Sequence, residues 1–120
     1  MTRENDNDEV RSVVEAYVAA CAAADSDALR AVFHADANMS GMLAGQRMTG
    51  GVAPFVDVVA NNPPPGADYT SQISDIEVSG KVAIATLREQ NYMGMSFTNY
   101  FQLLNVDGHW LIVAKLFQSS

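Results

Sequence analysis

SFTNYFQLLNVDGHWLIVAKLFQ, residues 96–118, decides the fold. Two apolar, β-rich runs flank Asn105-Val106-Asp107-Gly108, the pattern of a β-hairpin closed by a glycine-containing turn. The turn type settles which side chains share a face, and two types fit. A two-residue Asp107-Gly108 loop sets Asn99 opposite Leu116 and lets Lys115 extend into solvent beside Tyr100. A type I turn, with Gly108 left-handed in a bulge, pairs Asn105 with His109 and Asn99 with Lys115. Asparagine first and glycine fourth favour this second turn. One face then carries Phe97, Asn99, Phe101 and Leu103 beside Leu111, Val113, Lys115 and Phe117. The other carries Thr98, Tyr100, Gln102 and Leu104 beside Trp110, Ile112, Ala114 and Leu116. Both faces are largely apolar, so both need cover. Helices supply one cover and a second copy of the chain the other, which predicts a homodimer through the outer face.

Working outward, two further strands are expected over residues 69–78 and 82–93, joined through Ser79-Gly80. A type II′ turn at Gly94-Met95 would set Gln90 opposite Asn99 and Arg88 opposite Phe101. Val10, Val13, Val14, Tyr17, Val18 and Cys21 recur at helical spacing and predict a helix over residues 7–24. A shorter helix over 26–34 buries Leu29, Val32 and Phe33. Short strands over 37–43 and 46–49 meet at Ala44-Gly45. A third helix over 52–60 has Phe55, Val56 and Val59 as its buried stripe, and Pro63-Pro64-Pro65 ends it in a stiff loop. Residues 1–7 read as a flexible polar tail and 8–120 as a single α+β domain.

The whole-chain totals narrow the function classes. A chain of 120 residues with 48% apolar composition builds one modest core. A net charge of −7 argues against nucleic acid and anionic membrane surfaces as partners. Cys21 is the single cysteine, so neither an internal disulfide nor a cysteine metal cluster is expected. The opening residues lack the apolar core of a signal peptide, and a reducing, cytoplasmic setting is the default.

Four short motifs stand in order along the chain: Phe33-His34-Ala35-Asp36-Ala37, Gly50-Gly51, Phe97-Thr98-Asn99-Tyr100-Phe101, and Gly108-His109-Trp110 leading to Lys115-Leu116-Phe117. Their order resembles the nuclear transport factor 2-like superfamily, and within it the putative lumazine-binding, SnoaL-like group. The resemblance spans residues 10–118. It implies a cystatin-like fold, a curved antiparallel sheet wrapped around N-terminal helices as a cone with an internal pocket. Ketosteroid isomerases resemble this chain in topology; they pair a tyrosine and a protonated aspartate as an oxyanion hole with a separate aspartate base. On that resemblance the tyrosine matches Tyr17 by its spacing to Phe33, the oxyanion aspartate falls on Asn99, and the base falls near Gly41. Gly41 carries no acid, which argues against isomerase chemistry of that kind.

Candidate ligand-binding residues are therefore Tyr17, Asn99, Lys115, Gln90, Phe101, Val113, Phe117 and Arg88. Asn99 could donate to a ligand oxygen or serve as a structural amide. Lys115, flanked by Val113 and Phe117, is either a desolvated ammonium needing an anionic partner or a solvated side chain, according to the turn. Arg88 and Gln90 extend the same polar strip if the Gly94 turn is correct. His34 is the weak catalytic candidate, a histidine at a helix end being commonly a dipole partner. With His109 distant from it, a metal site is not expected, and no cofactor motif is present. The reading is a protein that binds an apolar small molecule with an acidic or enolic end. An isomerase, dehydratase or cyclase using the same pocket, and a non-catalytic interaction module, stand as alternatives.

Overall fold

The computed structural model describes residues 3–120. Helix α1 (Arg3–Ala23) is followed by α2 (Ser26–Ala31), β1 (Phe33–Leu43), β2 (Gln46–Gly51), α3 (Ala53–Ala60), β3 (Thr70–Ser79), β4 (Val82–Tyr92), β5 (Met95–Val106) and β6 (His109–Ser119). The strands form one sheet in the order β2-β1-β6-β5-β4-β3. All neighbours are antiparallel except β1 and β6, so the sheet is mixed rather than wholly antiparallel as expected.

Helix α1 starts earlier than its apolar stripe requires, taking in described residues that read as tail; residues 1–2 lie outside the described residues. It lays Val10, Val14, Tyr17 and Cys21 against β3, β4 and β6. Helix α2 begins where Asp25 accepts the Ala28 amide at 3.1 Å, and it ends at Ala31. Phe33 and His34, expected at its end, instead open β1, where the Ile112 amide reaches the Val32 carbonyl at 2.9 Å.

Register is where the structure corrects the sequence. The β5–β6 turn is the two-residue Asp107-Gly108 loop, both residues having positive φ (52° and 88°), with Val106 paired to His109. The type I bulged turn is not formed. A bulge appears further along instead: Leu103 pairs with Ile112 but Gln102 with Ala114, leaving Val113 as the extra residue. Asn99 therefore faces Phe117 and Phe101 faces Lys115. Close to the turn the expected faces are exchanged. Trp110 and Ile112 are buried inside the cone, while Val113 and Leu111 leave the inner face. The outer face keeps Tyr100, Leu104 and Leu116, joined by Val82 and Ile84 of β4.

The β4–β5 hairpin differs in the same manner. Its turn is Met93-Gly94, one residue earlier than expected, again with both φ positive. Tyr92 pairs with Met95 but Glu89 with Phe97, so β4 carries one extra residue around Gln90-Asn91, and Asn91 adopts φ 60°. Leu87 faces Asn99 and Ala85 faces Phe101. Gln90 and Arg88 thus point outward and are exposed.

Gly41 of β1 lies so close to β6 that an added Cβ would stand 2.2 Å from the Phe117 carbonyl oxygen and 2.5 Å from its ring. Overpacking of this kind costs about 1–3 kcal/mol when neighbours can shift, and more against backbone. Gly41→Ala should lower the urea midpoint clearly, whereas Gly51→Ala, with open space around it, should leave the midpoint close to wild type. Equal midpoints for the two variants would show that β1 and β6 are not packed in this way.

Candidate functional site

The two bulges place the charged groups. In an unbroken strand, residues three apart point to opposite faces. Here Glu89 and Tyr92 both point inward across the β4 bulge, and Ile112 and Lys115 do so across the β6 bulge. Glu89 is 2% exposed and Lys115 5%. Both line a cavity of about 220 Å³ walled by β1, β2, α3, the β4–β5 hairpin and β6, with Tyr17 of α1 reaching it. Its wall is almost wholly apolar. Phe55, Phe97 and Phe117 contribute rings, Pro54 and Val58 the helix side, and Met39, Met48, Met93 and Met95 four thioethers.

Lys115 reaches across the core to α1, where its Nζ donates to the Tyr17 hydroxyl at 2.8 Å. The ammonium lies 3.8 Å from the centroid of Phe55 and 5.3 Å from those of Tyr17 and Phe117. Among the described residues, no carboxylate lies within 4.0 Å of it. Burial pulls its pKa down from 10.5 to about 8, against the opposing field of Glu89.

Glu89 is far better held. Its Oε1 accepts from Asn99 Nδ2 at 2.7 Å and its Oε2 from the Tyr69 hydroxyl at 2.5 Å. Asn99 Nδ2 also donates to the Leu87 carbonyl at 3.2 Å, which orients the amide. Burial, and then the field of Glu89, push the Tyr69 hydroxyl well above its usual range. Burial likewise raises Tyr17 and Tyr92, which contact the Cys21 thiol between them. The thiol is pushed up to about 12, first by burial and then by Glu89.

Of the residues expected at the site, Tyr17, Lys115 and Phe117 line the cavity. Phe101 and Asn99 lie behind it: Phe101 packs edge-on to Tyr17 at 5.0 Å, and Asn99, fully buried, holds Glu89. Val113, Gln90 and Arg88 are turned away by the bulges, and Arg88 bonds to Ser74 on the outer face. His34 is not at the cavity; its Nδ1 accepts the Asp36 amide at 3.0 Å. Sequence reasoning missed Glu89, the inward acid. A signal was available: Leu87 and Tyr92 are both bulky apolar residues five apart, an odd spacing that an unbroken strand cannot bury on one face. No group of three or more histidine, cysteine or acidic side chains suited to a metal ion occurs among the described residues.

Comparison with known proteins places this arrangement. A family described as putative lumazine-binding matches residues 5–118. Aldolase FrzH of Cladobotryum sp is 26% identical over 113 residues, covering 93% of this chain and 90% of that protein. An NTF2-like protein of unknown function from Shewanella baltica OS155 superposes with TM-score 0.92 at 26% identity, covering 100% of this chain and 98% of the other. Another NTF2-like protein of unknown function, from Methylobacillus flagellatus KT, gives 0.91 at 28% identity, covering 99% and 95%.

The depressed Lys115 value has a pH signature. Above about pH 8 the folded protein sheds this proton while the unfolded chain keeps it to 10.5. The unfolded state then binds more protons, so this group makes stability rise with pH across that window. Cys21 and the buried tyrosines act in the opposite sense: held protonated in the fold, they oppose stability once the unfolded thiol ionises near 9 and unfolded tyrosines near 10. Between pH 8 and 9 the Lys115 contribution exceeds that of the thiol, and comparison with a variant that keeps Cys21 removes the thiol's share. The urea midpoint of the wild type should rise over that interval relative to Lys115→Met; parallel curves would mean that the amine is solvated.

Proposed function

The chain belongs to the putative lumazine-binding family, and from that premise we propose that it binds a small, mainly apolar molecule in the cone, with a carbonyl or enolic oxygen directed at Lys115 and Tyr17. The carrying observation is the convergence of Lys115, Tyr17 and Glu89 on one end of an otherwise apolar cavity. A few convergent polar groups in an apolar cleft are the usual form of a small-molecule site. A pteridine, polar around its whole edge, suits such a wall poorly. Glu89 also alters what the inner end accepts. A ligand carboxylate would meet Lys115 but also the fixed negative charge of Glu89, so an enol or a neutral carbonyl is the better fit.

A second reading, an enzyme of the isomerase, dehydratase or cyclase kind, is favoured by Glu89 itself. A carboxylate whose two oxygens each accept a hydrogen bond is held in one place at the cavity wall, and a general base must be positioned before it can act. It would take a proton beside a carbonyl whose oxygen is held by Lys115 and Tyr17. The aldolase from Cladobotryum sp, a relative named for work on carbonyl compounds, points the same way. The third reading, a protein-interaction module, has only the outer face in its favour.

2-Tetralone in deuterated buffer tests the first two together by NMR. Saturation transfer from protein to ligand is expected, with Lys115→Met weakening binding about tenfold through the lost hydrogen bond. Loss of the ketone's α-proton signal with wild type, abolished by Glu89→Gln, would establish proton transfer. Transfer undiminished in both Lys115→Met and Val58→Trp, which blocks the mouth, would place the ligand elsewhere and sink the cone reading.

We further propose that two copies pair through the outer sheet face, in a reducing cytoplasm. Leu116 is 55% exposed and Tyr100, its cross-strand neighbour, 48%, with Val82, Ile84 and Leu104 alongside. Sedimentation at micromolar concentration should give twice the chain mass, and Leu116→Glu should halve it. A monomeric wild type would refute the pairing.

A further inference from the structure

Lys115 combines three features rarely found together in one lysine. It lies on a ligand-sized cavity, it is out of water, and no carboxylate within 4.0 Å fixes its charge among the described residues. Its partners are a hydroxyl and aromatic faces. These hold an ammonium weakly and leave a free amine undisturbed, since the Tyr17 hydroxyl can donate to the nitrogen as readily as accept from it. A lysine kept only for structure would be expected to gain a carboxylate or to reach solvent.

We infer that Lys115 is a nucleophilic amine that condenses reversibly with an aldehyde or ketone bound in the cone, forming a carbinolamine and then an imine. This rests on the cone being a binding site, and adds that the ligand class is a carbonyl compound held covalently. The ammonium first loses a proton to Glu89 or solvent. The nitrogen lone pair then attacks the carbonyl carbon, the C=O π pair moves to oxygen, and the oxygen takes up that proton. In the second stage the attached nitrogen, still cationic after the attack, passes one proton to the hydroxyl, and the pair this frees forms a double bond to carbon. The C–O bond breaks, the hydroxyl leaves with that proton as water, and the nitrogen remains as a protonated imine. Overall, an ammonium and a carbonyl become an iminium and water, and no oxidant or reductant is consumed. Desolvation in an apolar pocket is a recognised way to activate a lysine for this step. Its amine is half in the free form near pH 8, where an ordinary lysine is almost wholly protonated.

The chain supplies its own control. It contains two lysines, and the other, Lys81, is exposed at the β3–β4 turn. The folded protein is incubated at pH 8 with benzaldehyde and sodium cyanoborohydride, which reduces an imine to a stable benzylamine, and then peptide-mapped by mass spectrometry. Lys115 should be benzylated at least about tenfold faster than Lys81, reflecting its larger free-amine fraction. The rate should climb through a midpoint near pH 8, and urea-unfolded chain should show no preference. Lys115→Arg, which keeps the cation, should lose the adduct and retain the fold. Saturation-transfer NMR with benzyl alcohol, which cannot form an imine, runs in parallel. If benzyl alcohol binds in the cone while Lys115 is labelled no faster than Lys81, the amine is not a nucleophile and the binding reading survives. If neither compound binds and Lys115 stays unlabelled, both readings fall.

Discussion

A carboxylate and an ammonium share the inner end of an apolar cone, and each has been taken almost completely out of water. Either ion left alone there would shed its charge or break the packing around it. The compensation is unequal. Glu89 is gripped by Tyr69 and Asn99 from elements on either side of β4, whereas Lys115 has one hydroxyl and a set of ring faces. These contacts also tie the layers together. The Tyr17–Lys115 bond joins α1 to β6, and the Tyr69–Glu89–Asn99 chain joins the segment before β3 to β4 and β5. The groups that make the pocket chemically able are the same ones that fix its walls.

The bulges make this possible. A sheet with strict alternation that buried Leu87, Asn99 and Phe101 on one face would have to turn Tyr92 outward. One extra residue in β4 reverses the alternation, so that Leu87 and Glu89 on one side and Tyr92 on the other all enter the cone. The extra residue at Val113 does the same for Ile112 and Lys115. Each of these two bulges lies within two residues of a charged group, Glu89 or Lys115, in keeping with the tendency of bulges to re-aim side chains near functional sites.

Much of the architecture is legible in the chain. The periodicity of α1, the proline stop after α3 and the glycine-marked turns carry element type and order, because these signals are local. The facing of β4 and β6 is not, because an inserted residue has no local signature and reverses every assignment beyond it. Sequence reasoning leaves Lys115 open between pocket and solvent, and the turn it favours puts the lysine inward for the wrong reason: it misreads the turn and misses a bulge, and the two parity errors cancel. Arg88 and Gln90 have no second error to rescue them, and Glu89 is lost with them. Asn99 is correctly read as a buried amide on the inner face, but its partner is Glu89 rather than open cavity. At Gly41 the chain lacks an acid because the Phe117 backbone and ring fill the space a side chain would need.

Exposed Met48 and Met93 and half-buried Met39 and Met95 line one part of the cavity with unbranched side chains that rearrange at little cost. The inner end is built from rings, bulged strands and doubly bonded polar groups that do not. The proposed binding of a carbonyl compound thus implies a tolerance graded along the cavity: a change to the part of the molecule lying against the thioethers would cost less than a change of equal size at the end lying against the rings.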